Sequence, residues 1–287
     1  MFKANLSRRG LLQFASTLLP ASAFGLAVTP PHADIAGRSG SASGSGEISD
    51  TFPAHPPEIV RQTVTVAHFD LKRLKELVEA RPSLANAAWD WGFGDWESAL
   101  GAASHMGNHA IAEYLISCGA RPSVFSAAML GQLEVVKAFV TAQPGIQRIR
   151  GPHGISLLAH ARMGGAGATT VLEYLQSLGD ADATAAADLA EADVKSLVGT
   201  YLFGIGTSQQ VEITADPKMY GTKMYPSPPP LTWTRKGTMG RPLFHLGERV
   251  FYPGGAPHVR IRFADDAEGV IMTVTDAETA LTARKKT

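Results

Sequence analysis

The sequence lacks several features that would point directly to a class of function. Its single cysteine, Cys118, excludes an intramolecular disulfide and any metal site built from cysteines alone. Lys+Arg and Asp+Glu number 26 each in 287 residues, so the formal net charge is zero. This balance argues against nucleic-acid binding through a broad basic surface. With 45% hydrophobic and 18% charged residues, the composition is that of an ordinary globular protein. The length predicts about two domains.

Residues 1–33 contain three basic residues and no acidic one. Within them, Ser7-Arg8-Arg9-Gly10-Leu11-Leu12 resembles the twin-arginine export motif, in which paired arginines precede apolar residues. Polar residues interrupt the apolar stretch from Leu11 to Val28, so it fits a signal peptide better than a transmembrane helix. The resemblance implies a twin-arginine-type signal peptide, a periplasmic or secreted protein, and no stable membrane span after cleavage. A frayed helix with two chance arginines is the alternative.

A linker and then a repetitive helical region are predicted next along the chain. Residues 34–57 are rich in glycine, serine and proline, which predicts a disordered linker. Residues 58–180 have helical periodicity, and the sequence EYLISCGA at Glu113–Ala120 returns as EYLQSLGD at Glu173–Asp180. This self-similarity predicts a helical repeat array.

The repeats carry a recognisable pattern. Ser98-Ala99-Leu100 and Ser156-Leu157-Leu158 each precede a first helix, and Gly107, Gly131 and Gly165 fall on the turns between helices. The pattern resembles ankyrin repeats, in about three to four degenerate units, which implies binding of a protein partner. Two departures are the missing histidine of the family's Thr-Pro-Leu-His motif and one turn-to-turn spacing of only 24 residues.

The loop between the first two units contains three of the four tryptophans. In an ankyrin array this loop projects on the concave side, so Trp89, Trp91, Phe93 and Trp96 are candidate partner-binding residues. The alternative is that these side chains fold back and cover the N-terminal end of the array. The sequence leaves both interpretations open.

The final third of the chain changes to strand-like patterning. Residues 181–196 are rich in alanine and aspartate and predict a linker or short helix. Beyond them, Val211-Glu212-Ile213 and Val259–Phe263 alternate apolar and polar residues, as half-buried strands do. Frequent glycine and proline divide residues 197–284 into about eight strands, which predicts a small antiparallel barrel or sandwich.

This region also resembles a known module. Val198–Tyr201, Leu243–Gly247 and Phe251–Phe263 are similar to the accessory β-barrel domain of β-lactamase-type serine hydrolases. The resemblance implies a lipocalin-like barrel with an accessory role. The sequence has neither Ser-x-x-Lys nor Gly-x-Ser-x-Gly, so we predict no catalytic residues and no enzymatic activity.

The sequence contains candidates for two further types of site. Met219, Tyr225 and Trp233 are candidate lining residues for an apolar or saccharide ligand in the barrel, whereas a filled core is the alternative. His105 and His109 have the spacing of a helical metal pair, but Gly107 between them breaks the helix. We therefore predict no metal site and no cofactor.

Together these features predict an α+β multidomain protein, with an α-helical ankyrin-like repeat array followed by a small antiparallel, lipocalin-like β-barrel. The predicted function is non-enzymatic binding of another envelope or secreted protein. The alternative is small-molecule binding by the barrel. No nucleic-acid partner is expected.

Overall fold

The computed structural model of the chain describes residues 50–182, 187–204, 209–215, 224–225 and 229–286. The predicted signal peptide at 1–33, most of the predicted linker at 34–57, and Met219 lie outside the described residues. Ser49–Thr287 form one compact unit of mixed α+β structure. None of the helices in the described part of the chain has the length and apolar character that a membrane span requires.

The first part of this unit consists of paired helices. The helices are α1 (Pro57–Val66), α2 (Leu71–Ala80), α3 (Ala99–His105), α4 (His109–Ser117), α5 (Val124–Met129), α6 (Leu133–Ala142), α7 (Leu157–Met163) and α8 (Thr169–Ser177). Short 3-10 turns occupy Pro82–Asn86, Ile146–Arg148, Pro152–Gly154 and Gly165–Ala168. The two helices of each successive pair contact each other, and α3, α5 and α7 pack side by side.

Local chemistry explains where several helices begin. Ser98, Ser123 and Ser156 precede α3, α5 and α7, and each side chain accepts a hydrogen bond from a backbone N–H of the first turn. Gly107 and Gly131 turn the chain between helices at φ 69° and 72°. A Cβ at Gly107 would collide with the carbonyl of Met163 at the end of α7, and a Cβ at Gly131 would collide with the carbonyl of Gly167 between α7 and α8. Glycine is therefore required where the pairs approach closely.

A short antiparallel hairpin separates α2 from α3. Its strands are β1 (Ala88–Asp90) and β2 (Trp96–Ser98), with Trp89 opposite Glu97. Along β2 the side chains alternate exposed, buried and exposed, so Glu97 points into the protein while Trp96 is 64% exposed. The hairpin therefore places one carboxyl group in the interior of the helical region.

The predicted C-terminal barrel is confirmed. After α9 (Glu191–Leu197), the strands are β3 (Gly199–Phe203), β4 (Gln210–Thr214), β5 (Leu231–Arg235), β6 (Arg241–Gly247), β7 (Val250–Pro253), β8 (Arg260–Asp266), β9 (Gly269–Thr275) and β10 (Ala280–Lys285). Each strand pairs antiparallel with the next, and β10 also pairs with β3, which closes an eight-strand barrel. This topology fits a lipocalin-like barrel.

The barrel has an apolar core rich in aromatic side chains. The rings of Tyr201 and Phe263 lie 5.5 Å apart, and those of Phe251 and Phe263 lie 5.7 Å apart. Tyr201 and Phe251 are fully buried, and Trp233 belongs to the same core. The Tyr201 hydroxyl donates to the carbonyl of Leu197, which ties α9 to the barrel.

Candidate metal centre

Four side chains from separate segments converge next to the hairpin. His68 lies in the turn after α1, Glu97 on β2, His105 at the end of α3, and His153 in the 3-10 turn Pro152–Gly154. One potential ligand atom from each residue lies within 4.8 Å of the other three. Glu97, His105 and His153 are buried, and the His68 side chain is 17% exposed. We call these four residues the His3Glu cluster.

The distances within the cluster are short, with Glu97 at its centre. Glu97 Oε1 lies 3.0 Å from His105 Nδ1, while Glu97 Oε2 lies 3.5 Å from His68 Nε2 and 3.4 Å from His153 Nε2. Nitrogen and oxygen ligands bind Zn²⁺ at about 2.0–2.2 Å, so neighbouring ligands of a tetrahedral ion are about 3.3–3.6 Å apart. The separations of the three histidines from the nearer Glu97 oxygen are close to that spacing, and all four ligand atoms lie within 4.8 Å of one another.

Several of these atoms have no hydrogen bond, although they are buried. Glu97 Oε1, His105 Nδ1 and His153 Nε2 all lack a partner with acceptable hydrogen-bond geometry. Leaving a buried polar atom unsatisfied costs about 1–3 kcal/mol. Three such atoms in one place are explained if they share a cation as their common partner.

Hydrogen bonds outside the cluster orient two of the imidazoles. His68 Nδ1 lies 3.0 Å from the carbonyl of Val64 and 3.1 Å from that of Thr65, and His153 Nδ1 lies 2.8 Å from Asp95 Oδ2. Because carbonyl and carboxylate oxygens accept, the proton of each neutral ring belongs on Nδ1. The Nε2 lone pairs then face the cluster, an arrangement typical of metal-binding histidines.

Glu97 and Asp95 are themselves fixed in position. The indole N–H of Trp91 donates to Glu97 Oε2 over 2.8 Å. Asp95 accepts the backbone N–H of His153 at 2.9 Å, and Arg241 Nη1 lies 3.4 Å from its Oδ2. These contacts join the hairpin loop, the 3-10 turn and strand β6 around the cluster.

The backbone at His153 is unusual for a residue with a side chain. Its φ of 60° lies in the left-handed region. Its backbone N–H bonds Asp95, and its carbonyl accepts the Tyr225 hydroxyl at 2.6 Å. Surrounding contacts thus hold His153 in a strained conformation, which is common where a side chain must be aimed precisely.

Burial and neighbouring charges shift the pKa values in opposite directions. Burial opposes ionisation of Glu97, but His105 and His153 outweigh it and lower the pKa of this carboxyl. Burial also disfavours a charged His153, yet Asp95 and Glu97 raise its pKa to about 9. Burial lowers the pKa of His105, and Glu97 offsets this only in part. Near neutral pH and without a metal, the cluster therefore contains an anionic Glu97, a protonated His153 and a neutral His105.

The ligand types indicate which ions fit. Imidazole and carboxylate together suit Zn²⁺ and neighbouring first-row divalent ions, whereas Mg²⁺ and Ca²⁺ prefer sites made entirely of oxygen ligands. In the described part of the chain, these four residues are the one group with this capacity.

The residues predicted to bind a partner occupy different environments. Trp89 and Trp91 pack against the core of the helical region, whereas Trp96 is exposed. Phe93 packs on Trp233 of the barrel, with ring centroids 5.6 Å apart. Three of these four side chains therefore pack against the protein, on the helical region or on the barrel, and only Trp96 is exposed.

Of the predicted ligand-lining residues of the barrel, the two that the structure describes belong to separate apolar clusters. Tyr225 is buried with its hydroxyl on the carbonyl of His153, while Trp233 lies in the barrel core and contacts the hairpin loop. Met219 lies outside the described residues.

No local motif connects the members of the cluster, so the sequence alone does not predict it. The spacing in the sequence pairs His105 only with His109, whose Nε2 instead lies 3.0 Å from the carbonyl of Gly164. No motif marks His68 or His153 as a ligand. For Glu97 the sequence carries no reliable signal either, because β2 has only three residues. No protein-family model, curated protein or solved structure matches the chain.

Proposed function

We propose that this protein binds one divalent first-row transition-metal ion, with Zn²⁺ as the first candidate, through His68, Glu97, His105 and His153. The observation that carries the proposal is the convergence of four ligand atoms within 4.8 Å, three of them on buried side chains. Each side chain comes from a different segment of the helical region. A bound ion would therefore cross-link these segments and stabilise the fold.

Four protein ligands and deep burial are typical of a structural metal site rather than a catalytic one, which keeps a position open for water or substrate. This accords with our expectation of a non-enzymatic protein. The competing explanation is an internal ion-pair network, in which protonated His153 bridges Asp95 and Glu97 and no metal is needed.

Metal binding to the full chain tests the proposal directly. After chelator treatment and dialysis, calorimetric titration with Zn²⁺ should show one ion per chain, and the melting temperature should rise with free Zn²⁺. Glu97→Gln and His153→Gln should each weaken binding by more than about 100-fold, because the first removes the anionic charge of a ligand and the second removes an imidazole, and changes to residues that only orient the ligands already cost about 10–100-fold.

The matched control is His109→Gln, which changes the first residue of α4, a histidine that is not in the cluster. It should leave the affinity for Zn²⁺ unchanged. If the wild-type protein binds no ion, or binds it as well as the folded Glu97→Gln variant does, the ion-pair network is the correct account.

A second candidate function is binding of another envelope or secreted protein, as the ankyrin resemblance implies. It is supported by Trp96, which is 64% exposed on β2. The proposed location is the periplasm or the cell exterior. A partner retained from envelope extract by the wild-type chain and lost by the folded Trp96→Ala variant would support this function; equal retention by both would contradict it.

A further inference from the structure

A cavity of about 240 Å³ lies between the hairpin loop and the barrel. Trp91 and Phe93 line it on the loop side, and Trp233, Arg235 and Arg241 line it on the side of β5 and β6. The remaining lining residues are a glycine and a threonine. The cavity is outside the His3Glu cluster, although Trp91 contacts both.

Three aromatic side chains give the cavity flat apolar walls. Phe93 and Trp233 are in ring contact, and the guanidinium of Arg241 lies 5.8 Å from the centre of the Phe93 ring. Aromatic walls of this kind favour a flat ring, which gains dispersion and offset-stacking contacts. A cavity of this volume suits a ligand smaller than a typical drug molecule.

The charge of the lining is positive. Arg235 and Arg241 contribute two guanidinium groups, and no acidic side chain is among the described residues that line the cavity. Arg241 is 4% exposed and its Nη1 lies 3.4 Å from the carboxylate of Asp95, which balances its charge, so the positive charge open to a ligand comes from Arg235. Guanidinium groups bind carboxylates through paired hydrogen bonds.

The loop wall is fixed in place. The N–H of Trp91 bonds the carbonyl of Asp95, the N–H of Asp95 bonds that of Gly92, and the N–H of Gly92 bonds the Asp90 side chain. Phe93 is held at φ 58°, in the left-handed region, which places its ring against Trp233. Because the loop is already ordered without a ligand, binding loses little conformational entropy there.

We propose that this cavity binds a small aromatic carboxylate, with the ring against the wall formed by Trp91, Phe93 and Trp233 and the carboxylate directed to Arg235. This site goes beyond the proposed metal binding and does not depend on it.

Benzoate is the probe, with benzamide as its neutral analogue and acetate as a carboxylate without a ring. Each is titrated calorimetrically into the chelator-treated full chain, so the result is independent of metal binding. Benzoate should bind at one site, at least about tenfold more tightly than benzamide or acetate, because only benzoate offers both the ring and the charge.

Two adjacent exposed cations supply a matched pair of variants. Arg235→Gln should weaken benzoate binding about tenfold and reduce the preference over benzamide, whereas Lys236→Gln should change neither, because Lys236 does not line the cavity. Equal melting temperatures would show that both variants are folded. The proposal is wrong if benzoate shows no saturable binding, if benzamide binds equally well, or if the two variants behave alike.

Discussion

The helical region and the barrel differ in what they bury. Around the hairpin, the helical region buries Asp95, Glu97, His105, His153 and His160, whereas the barrel core is formed mainly by apolar and aromatic side chains. Burying ionisable groups is costly unless they are paired or bind an ion. Apolar burial needs no such partner. The barrel interior is therefore suited to stability, and the polar interior of the helical region to binding.

The largest effect should come from removing an aromatic ring from the barrel core. Phe251→Ala should lower the free energy of unfolding by about 3–5 kcal/mol, because a buried ring leaves a cavity. The affinity of the folded protein for Zn²⁺ should not change. Urea denaturation and zinc titration at low temperature measure the two quantities. The control is Phe69→Ala, at a side chain that is 68% exposed; a change in zinc affinity with Phe251→Ala would contradict the separation of the two interiors.

The next largest effect should appear on acidification. Burial lowers the pKa of His160 to about 4, whereas an unfolded histidine titrates near 6.5. Between these values the unfolded state binds more protons, so stability falls as pH falls, by about 3 kcal/mol from this group. Urea denaturation of the chelator-treated protein at pH 7 and pH 4 should show a smaller loss for His160→Asn. The exposed His258→Asn should match the wild type; equal losses in all three proteins would contradict the prediction.

A smaller effect should follow from removing the indole donor of Trp91. Trp91→Phe keeps an aromatic ring but deletes the hydrogen bond to Glu97 Oε2. Zinc affinity should fall about 10–100-fold, as is usual when a residue that orients a metal ligand is changed. Trp89→Phe, in the same hairpin, is the control and should leave zinc affinity unchanged. Equal losses from both variants would mean that general hairpin packing, rather than this bond, supports the cluster.

The smallest effect on stability should come from Trp96→Ala. Because the side chain is exposed, the free energy of unfolding should change by less than about 0.5 kcal/mol, and zinc affinity should be unaffected. If Trp96 is an anchor for a protein partner, binding of that partner should weaken by about 2 kcal/mol or more. A large loss of stability measured by thermal denaturation would instead indicate that Trp96 supports the fold.

The sequence predicted the barrel because its signals are local. Alternating residues such as Val211-Glu212-Ile213 reveal strands, and the glycine and proline between them mark turns. The His3Glu cluster has no such signal, because its members are spread from residue 68 to residue 153. His68 and His153 lie in turns, where no periodicity shows which way a side chain points. Strand β2 has three residues, too few to establish alternation.

The pairing of the hairpin strands has a consequence for folding. With Trp89 opposite Glu97, the carboxyl group faces inward and Trp96 outward. A shift of one residue would reverse every side chain on β2, exposing Glu97 and burying Trp96. Strands this short contribute little to choosing their own register, so the choice falls to the contacts that hold Glu97 inside. One inserted or deleted residue in the five-residue loop 91–95 would therefore disconnect the cluster while leaving all its side chains in the sequence.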